Sequence, residues 1–137
     1  MTEVTVIQKI RSVLTLNAVI AGYVGTRVYA QHPSELQNPE VPCITITVLD
    51  SKPNAHVYTI IETHLQIDLW FPIDTYTIED VITCAGTIRS LLHKQDLWDS
   101  TLGLKSYMIS ESGVGPILYD ADIKSHHLPL RYRTVAS

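Results

Sequence analysis

The sequence predicts an α+β domain in which two helices pack on one face of an antiparallel sheet of about four strands. Two segments, residues 3–16 and 74–95, repeat apolar residues at helical spacing. Two others, residues 43–49 and 56–71, alternate apolar and polar residues as half-buried strands do. The 137 residues suffice for one hydrophobic core, so we expect a single domain over residues 1–137 with the element order α-β-β-α-β-β.

The first helix is amphipathic because Ile7, Ile10 and Leu14 share one face. After it, Asn17 is suited to cap a shorter helical turn, NAVIAGYVG, which Gly25 can end. We therefore expect a long helix and then a short helical turn ahead of the first strand.

The helix within residues 74–95 has the strongest pattern, with apolar side chains at alternating spacings of three and four. Thr77 and Asp80 approximate a capping box at its start. Gly86 lies in its middle, and we expect this glycine to mark close packing of the helix on the sheet. Helix capping and the helix dipole account for the acids around its start: Asp68, Asp74, Glu79 and Asp80.

The strand at residues 43–49 is followed by DSKPNA, residues 50–55, whose composition predicts a turn. The alternating segment 56–71 would span roughly 50 Å as a single strand, more than a domain of this size offers. Either this segment bends, or its first half overhangs as an arm. In the second case we expect the tip, residues 49–58, to project and to recruit another chain through an unpaired strand edge.

Two later strands are predicted near residues 104–111 and 122–134, joined by SGVGPILYDA. Pro129 cannot donate to a sheet ladder, so we expect the last strand to be an edge strand or to contain a bulge. The SGVGP segment lacks the lysine and the following helix of a phosphate-binding loop, and it predicts a turn or a flexible tip.

Composition excludes several classes of protein. The net charge is −4 without a basic run, which argues against a protein that grips nucleic acid by its phosphates but is compatible with DNA that slides past. No apolar run approaches the ~20 residues of a membrane span, so we expect no membrane contact. Cys43 and Cys84 have no metal-ligand spacing, and we expect reduced thiols.

The histidines do not form a convincing site. His126 and His127 are adjacent in a strand, so they point to opposite faces and cannot both bind one ion. Glu62 and His64 could bind zinc, but two polar side chains on the exposed face of a strand explain the pair better. We therefore predict no catalytic residue, no metal and no cofactor, and a protein that is not an enzyme.

Several segments follow one another in a recognisable order. The first helix leads to NAVIAGYVGTRVY, in which Asn, apolar residues, Gly-x-Arg and an aliphatic–aromatic pair succeed one another. A loop ends at Pro42 and opens ITITVLD, followed by SKPN, and later LQIDLW precedes a helix that ends in Leu91 and Leu92. In order and spacing over about residues 1–95, the chain resembles the tail-completion, or tail-terminator, proteins of long-tailed bacteriophages.

The resemblance implies a structural virion protein that forms a ring, commonly a hexamer. Such a ring caps the finished tail tube, ends tail polymerisation and joins the tail to the head. Its partners would be further copies of itself, the tail tube protein and a head-completion or connector protein, with DNA passing through the lumen without specific binding. The ring would lie at the head-proximal end of the tail in the virion, and its subunits in the host cytoplasm during assembly.

An alternative of a different class is a small ferredoxin-like module that dimerises through its sheet and holds a metabolite. The exposed strand face would then form the wall of a binding pocket. A concentration-independent dimer would favour this alternative over a ring.

The candidate interface residues lie near the Gly-x-Arg segment and the predicted tip. For contact with other subunits or with the tube we expect the following side chains: Arg27, Tyr29, Asp50, Lys52, Asn54, His56 and Tyr58. Arg27 could pair with an acid of its own fold or of a neighbouring subunit. Acids that flank turns are the lumen candidates: Asp50, Glu111, Asp120 and Asp122. The inner rim would draw on the 111–122 connection or on the 50–56 turn, and both stay open.

Overall fold

The computed structural model describes residues 2–30, 42–53, 60–96, 98–99, 101–103 and 106–136. Within these residues the helices are α1 (Thr2–Leu16), α2 (Ala18–Val24) and α3 (Ile78–Leu92). The strands are β1 (Val28–Tyr29), β2 (Cys43–Pro53), β3 (Ile61–Pro72), β4 (Ser106–Val114), β5 (Leu118–Asp120) and β6 (Ser125–Ala136).

The strands form one sheet in the order β1-β2-β3-β6-β4, and β5 also pairs with β6. β1 runs parallel to β2, whereas the other described pairings are antiparallel. The α+β class is therefore confirmed, but the described sheet is mixed and six-stranded rather than antiparallel with about four strands. The expected count of two helices is corrected to three in the described chain. β5 has three residues, too few for an alternating pattern to reveal it.

The predicted helix caps are confirmed. The Asn17 side chain accepts hydrogen bonds from the backbone N–H groups of Val19 and Ile20, at 3.0 and 3.2 Å. Gly25 ends α2 with a φ of 60°, a value that favours glycine. Thr77 and Asp80 form a capping box at the start of α3. Local sequence therefore defines where the short and the long helix begin.

The hydrophobic core lies between the helices and one face of the sheet, which we call the inner face. Buried aliphatic and aromatic residues of β3 and β6 fill it: Leu65, Ile67, Leu69, Phe71, Leu128, Leu130 and Tyr132. The helices cover them with Ile10 and Leu14 of α1, Ile20 of α2, and Ile88 and Leu92 of α3. The opposite face of the sheet, the outer face, carries the alternate residues of the same strands.

The predicted turn at residues 50–55 and the overhanging second strand are wrong for the residues that the structure describes. β2 continues through Pro53, which pairs with Ile61, after a bulge between Val48 and Asp50. β3 pairs with β6 along its whole length, from Ile61 to Pro72. The two strands have 11 and 12 residues, so the second does not overhang the first by half its length. The last part of the expected tip, residues 54–58, lies outside the described residues.

β6 is not an edge strand, because β3 pairs with one side of it and β4 and β5 with the other. Pro129 fits there because its carbonyl accepts a hydrogen bond from Gly115 N–H, at 2.9 Å. The N–H and C=O of one strand residue point the same way, so the missing donor of Pro129 faces the gap between β4 and β5. A Cβ at Gly115 would collide with the Pro129 ring, so the close approach requires glycine.

Candidate assembly surfaces

Arg27 is held by backbone carbonyls of its own chain. Its Nε donates to the Pro42 carbonyl at 2.9 Å, and its Nη2 donates to the Tyr23 carbonyl at 3.3 Å. The guanidinium thus ties the end of α2 to the start of β2. The expected acidic partner within the fold is not found among the described residues, where these contacts are to carbonyl oxygens. A role for Arg27 toward a neighbouring subunit stays a prediction.

The other predicted interface residues lie in different settings. Tyr29 is half-buried in β1, opposite Thr45. Asp50 and Lys52 are exposed on the outer face of β2, where they pair across the sheet with His64 and Glu62. Asn54, His56 and Tyr58 lie outside the described residues. Asp50 and Lys52 are therefore the two predicted residues that the fold clearly presents to solvent.

The outer face is polar, with both signs of charge interleaved. Arg133 forms an ion pair with Glu62 at 2.8 Å, and Arg131 donates to the Gln66 side chain at 3.2 Å. The face carries three cationic side chains, Lys52, Arg131 and Arg133. It also carries three acids, Asp50, Glu62 and Asp68. Because the opposing charges are matched in number, this face lacks the excess of cations that binding to phosphate requires.

A buried polar network lies at one end of the outer face. His127 Nε2 is 2.6 Å from Asp68 Oδ1, and Asp68 also accepts a hydrogen bond from the Gln66 amide at 2.8 Å. The His127 ring stacks on Trp70, with centroids 3.9 Å apart and planes 5° apart. Trp70 Nε1 in turn donates to Thr45 Oγ1 at 2.9 Å. The network joins β2, β3 and β6 through side chains, so it supports their register.

Sequence reasoning missed this network. Asp68 was expected to serve the start of α3, but it is 5% exposed and lies in the sheet, whereas Thr77 and Asp80 cap the helix. The signal in the sequence was the alternation of strand residues, which places Asp68 and Trp70 on the same face of the sheet. The adjacent histidines do point to opposite faces, as expected, with His127 opposite Trp70 on the outer side. Which residues meet across strands required the register.

The four lumen candidates do not lie together. Glu111 is paired with Tyr132 on the inner side and forms an ion pair with Arg89 at 2.9 Å. The Asp120 carboxylate accepts hydrogen bonds from the backbone N–H groups of Asp122 and Ile123 within the β5–β6 turn. Asp50 lies on the outer face, eight residues along the strands from that turn, which is about 26 Å at 3.3 Å per residue. One rim cannot readily include all four, and their place in a lumen stays a prediction.

A groove separates α3 from β4 and the β4–β5 connection. Its apolar part has a volume of about 240 Å³ and is lined by Ile82, Val114 and Ile117 among others. Its polar part, about 410 Å³, is lined by Arg89, His93 and Glu111. Gly86 and Arg89 line both parts, so the two form one continuous groove.

The polar part of the groove is built from a linked set of side chains. His93 Nδ1 accepts the Glu111 N–H at 3.0 Å, so its Nε2 is the position that carries a proton and can donate. Tyr132 lies across the strand pair from Glu111. Burial raises the pKa of the Tyr132 hydroxyl, and the nearby Glu111 carboxylate raises it further. That hydroxyl has no hydrogen-bond partner within the described chain.

The described residues contain no group of three or more His, Cys, Asp or Glu side chains arranged to hold a metal ion. In the same part of the chain, no single helix is long and apolar enough to cross a membrane. The pair formed by α1 and α2, bent by 92°, would pass on length and composition alone.

These elements form an α+β fold, with helices on the inner face of a mixed sheet and a polar outer face. No family model matches the chain, and no curated protein matches it. Among solved structures, it is similar to a chain of the virion of native gene transfer agent (GTA) particle, with a TM-score of 0.71 and 16% sequence identity. The similarity covers 98% of this chain and 96% of that chain, so the two share their fold over nearly their whole lengths.

Proposed function

We propose that this chain is a structural virion protein: a tail terminator whose subunits form a ring on the tail tube, end tail polymerisation and join the tail to the head. The main support is the fold shared with a chain of a virion particle, because it extends over 98% of this chain. The order of segments over residues 1–95, which resembles tail terminators, points the same way from the sequence alone. Fold likeness by itself does not define function, so assembly is the property to test.

The charge of the described surfaces suits a ring through which DNA passes. A channel lined by excess lysine or arginine would hold a duplex through the release of its counterions. The outer face instead balances Lys52, Arg131 and Arg133 with three acids, and the chain as a whole carries −4. This balance of charge supports passage of DNA without specific binding.

The proposed partners are further copies of this chain, the tail tube protein and a head-completion or connector protein. We expect weak self-association in dilute solution and rings at high concentration or on a tube, because polar, modest interfaces bind weakly. The competing ferredoxin-like module has the element order β-α-β-β-α-β. Here two helices precede the described strands, which gives that alternative no support.

The decisive experiment polymerises tail tubes of the encoding virus with and without the purified protein and measures tube lengths by negative-stain electron microscopy. The proposal predicts rings at one end of each tube and arrested elongation, whereas tubes without the protein continue to grow. Native mass spectrometry over a concentration series gives the number of subunits. Tubes that elongate unchanged, together with a concentration-independent dimer, would overturn the proposal.

A further inference from the structure

In the described part of the chain, no close contact and no positive φ accounts for a glycine at Gly86. It lies within α3, where glycine is less favourable than any residue except proline. It is exposed, and a Cβ built on it would have no atom of a packing neighbour within 4 Å among the described residues. The expectation that Gly86 marks close packing on the sheet is therefore wrong. The open space above Gly86 can therefore accommodate a side chain from outside the subunit.

Gly86 lies where the apolar and polar parts of the groove meet. On the apolar side, Ile82 is more than half exposed one helical turn earlier. On the polar side, Arg89 keeps about half of its side chain exposed while its Nε contacts Glu111. An arginine has five N–H donors, so the remaining guanidinium nitrogens can bind a second carboxylate. The groove thus offers contacts to an apolar side chain that is followed by an acid, with Glu111 already placed against the Nε side of the Arg89 guanidinium.

Such a pair is present at the other end of the sheet. Leu49 lies at the bulge of β2 and is 50% exposed, and the exposed acid Asp50 follows it. In the strand order β1-β2-β3-β6-β4, this bulge and the groove beside β4 lie toward opposite ends. Within the described residues, β1 pairs with Ile44 and Thr45, the latter four residues before Leu49. A contact between two different surfaces of identical subunits is heterologous and can close into a ring.

We propose that the groove between α3 and β4 receives the β2 bulge of a neighbouring copy, with Leu49 over Gly86 and Asp50 toward Arg89. This inference rests on the ring proposed above and specifies the two surfaces that form each subunit contact. The contact is made by side chains rather than by strand addition. The bulge itself, together with Lys52 and Pro53, discourages a ladder along that edge of β2.

The first test fills the space above Gly86. Gly86→Gln adds a good helix former without new apolar surface, and we expect the Tm of the free subunit to rise by about 2–4 °C. Ring formation, measured by native mass spectrometry at high protein concentration, should be lost. Gly22→Gln is the matched control, because Gly22 is also helical and exposed with nothing within 4 Å. It should raise the Tm similarly and leave rings intact.

The second test uses Leu49→Gln, which removes the apolar anchor but leaves the groove open. Alone, this variant and Gly86→Gln should each stay monomeric. In an equal mixture, the intact bulge of the Gly86→Gln subunit meets the intact groove of the Leu49→Gln subunit. One contact then forms per pair, and sedimentation equilibrium should show heterodimers and nothing larger.

The outcomes separate this inference from the ring itself. If the wild type forms rings and the Gly86→Gln variant also forms them, the contact proposed here is wrong while the ring stands. A mixture that remains monomeric where the wild type assembles would also overturn the contact. If the wild type forms no ring in solution or on tubes, both proposals fail.

Discussion

The two faces of the sheet use the same strands in opposite ways. On the inner face, β3 presents Leu65, Ile67 and Leu69 to the helices, and all three are fully buried. On the outer face, the alternate residues of β3 are polar or are held in a polar network around Asp68 and Trp70. The inner face stabilises the subunit through its buried apolar side chains. The outer face instead carries charged side chains and a polar network that supports the strand register. Residues that serve assembly are therefore ones whose substitution leaves the buried core of the inner face intact.

The largest effect is expected on the inner face. Leu69→Ala should lower the free energy of unfolding by about 2–5 kcal/mol, because it removes buried methyl groups and leaves a cavity. Urea denaturation measures this change. Leu16→Ala is the control, since Leu16 is 83% exposed and its truncation should change stability by less than about 0.5 kcal/mol. Equal effects at both positions would contradict the assignment of the core.

A smaller loss is expected from the buried network of the outer face. Asp68→Ala leaves the Gln66 amide and His127 without their acceptor, and we expect a loss of about 1–3 kcal/mol in urea denaturation. Asp68→Asn retains an acceptor oxygen and should cost less. If the two variants lose stability equally, packing rather than hydrogen bonding accounts for the role of Asp68.

The two buried cysteine thiols allow the two faces to be compared through the pH dependence of stability. Burial raises the pKa of both Cys43, on the outer face, and Cys84, in α3, to about 12. The folded state therefore keeps these protons where the unfolded state loses them, so their contribution to stability is complete below about pH 9 and falls as the pH rises toward 12. We expect a loss of about 1 kcal/mol per thiol between pH 8 and pH 10. Chemical denaturation across that range measures it.

Cysteine-to-alanine variants isolate this effect from other titrating groups. Cys84→Ala and Cys43→Ala should each flatten the dependence of stability on pH by a similar amount. If only one of them does so, the two faces shield their thiols unequally in solution. If neither does, burial of the thiols does not govern the alkaline loss.

The smallest effect is expected from the exposed part of the outer face. The ion pair between Arg133 and Glu62 leaves 41% of the arginine side chain exposed, so its coupling should be about 0.2–1 kcal/mol. A double-mutant cycle with Arg133→Gln and Glu62→Gln measures the coupling. Added salt should reduce it, since dissolved ions screen exposed charges. A coupling above 2 kcal/mol would show that this pair acts as the buried network does.

Features that depend on near neighbours in the chain could be predicted from the sequence. The cap at Asn17, the capping box at Thr77 and the inward face of β3 follow from residues within a few positions of one another. The candidate assembly surfaces could be predicted only in part. Asp50 and Lys52 are exposed as interface residues should be, whereas Arg27 is engaged with carbonyls of its own chain.

The α+β class, the two main helices and the alternation that separates the two faces of the sheet follow from the order of residues alone. The central position of β6, the direction of the missing donor of Pro129 into the gap between β4 and β5, and the contacts of His127 with Asp68 and Trp70 depend on the folded chain. The tertiary structure also placed the open groove above Gly86 and the exposed bulge at Leu49 toward opposite ends of the sheet. The physical reason is that helical and strand periodicity are local, whereas strand order and register are set by contacts between residues far apart in the chain.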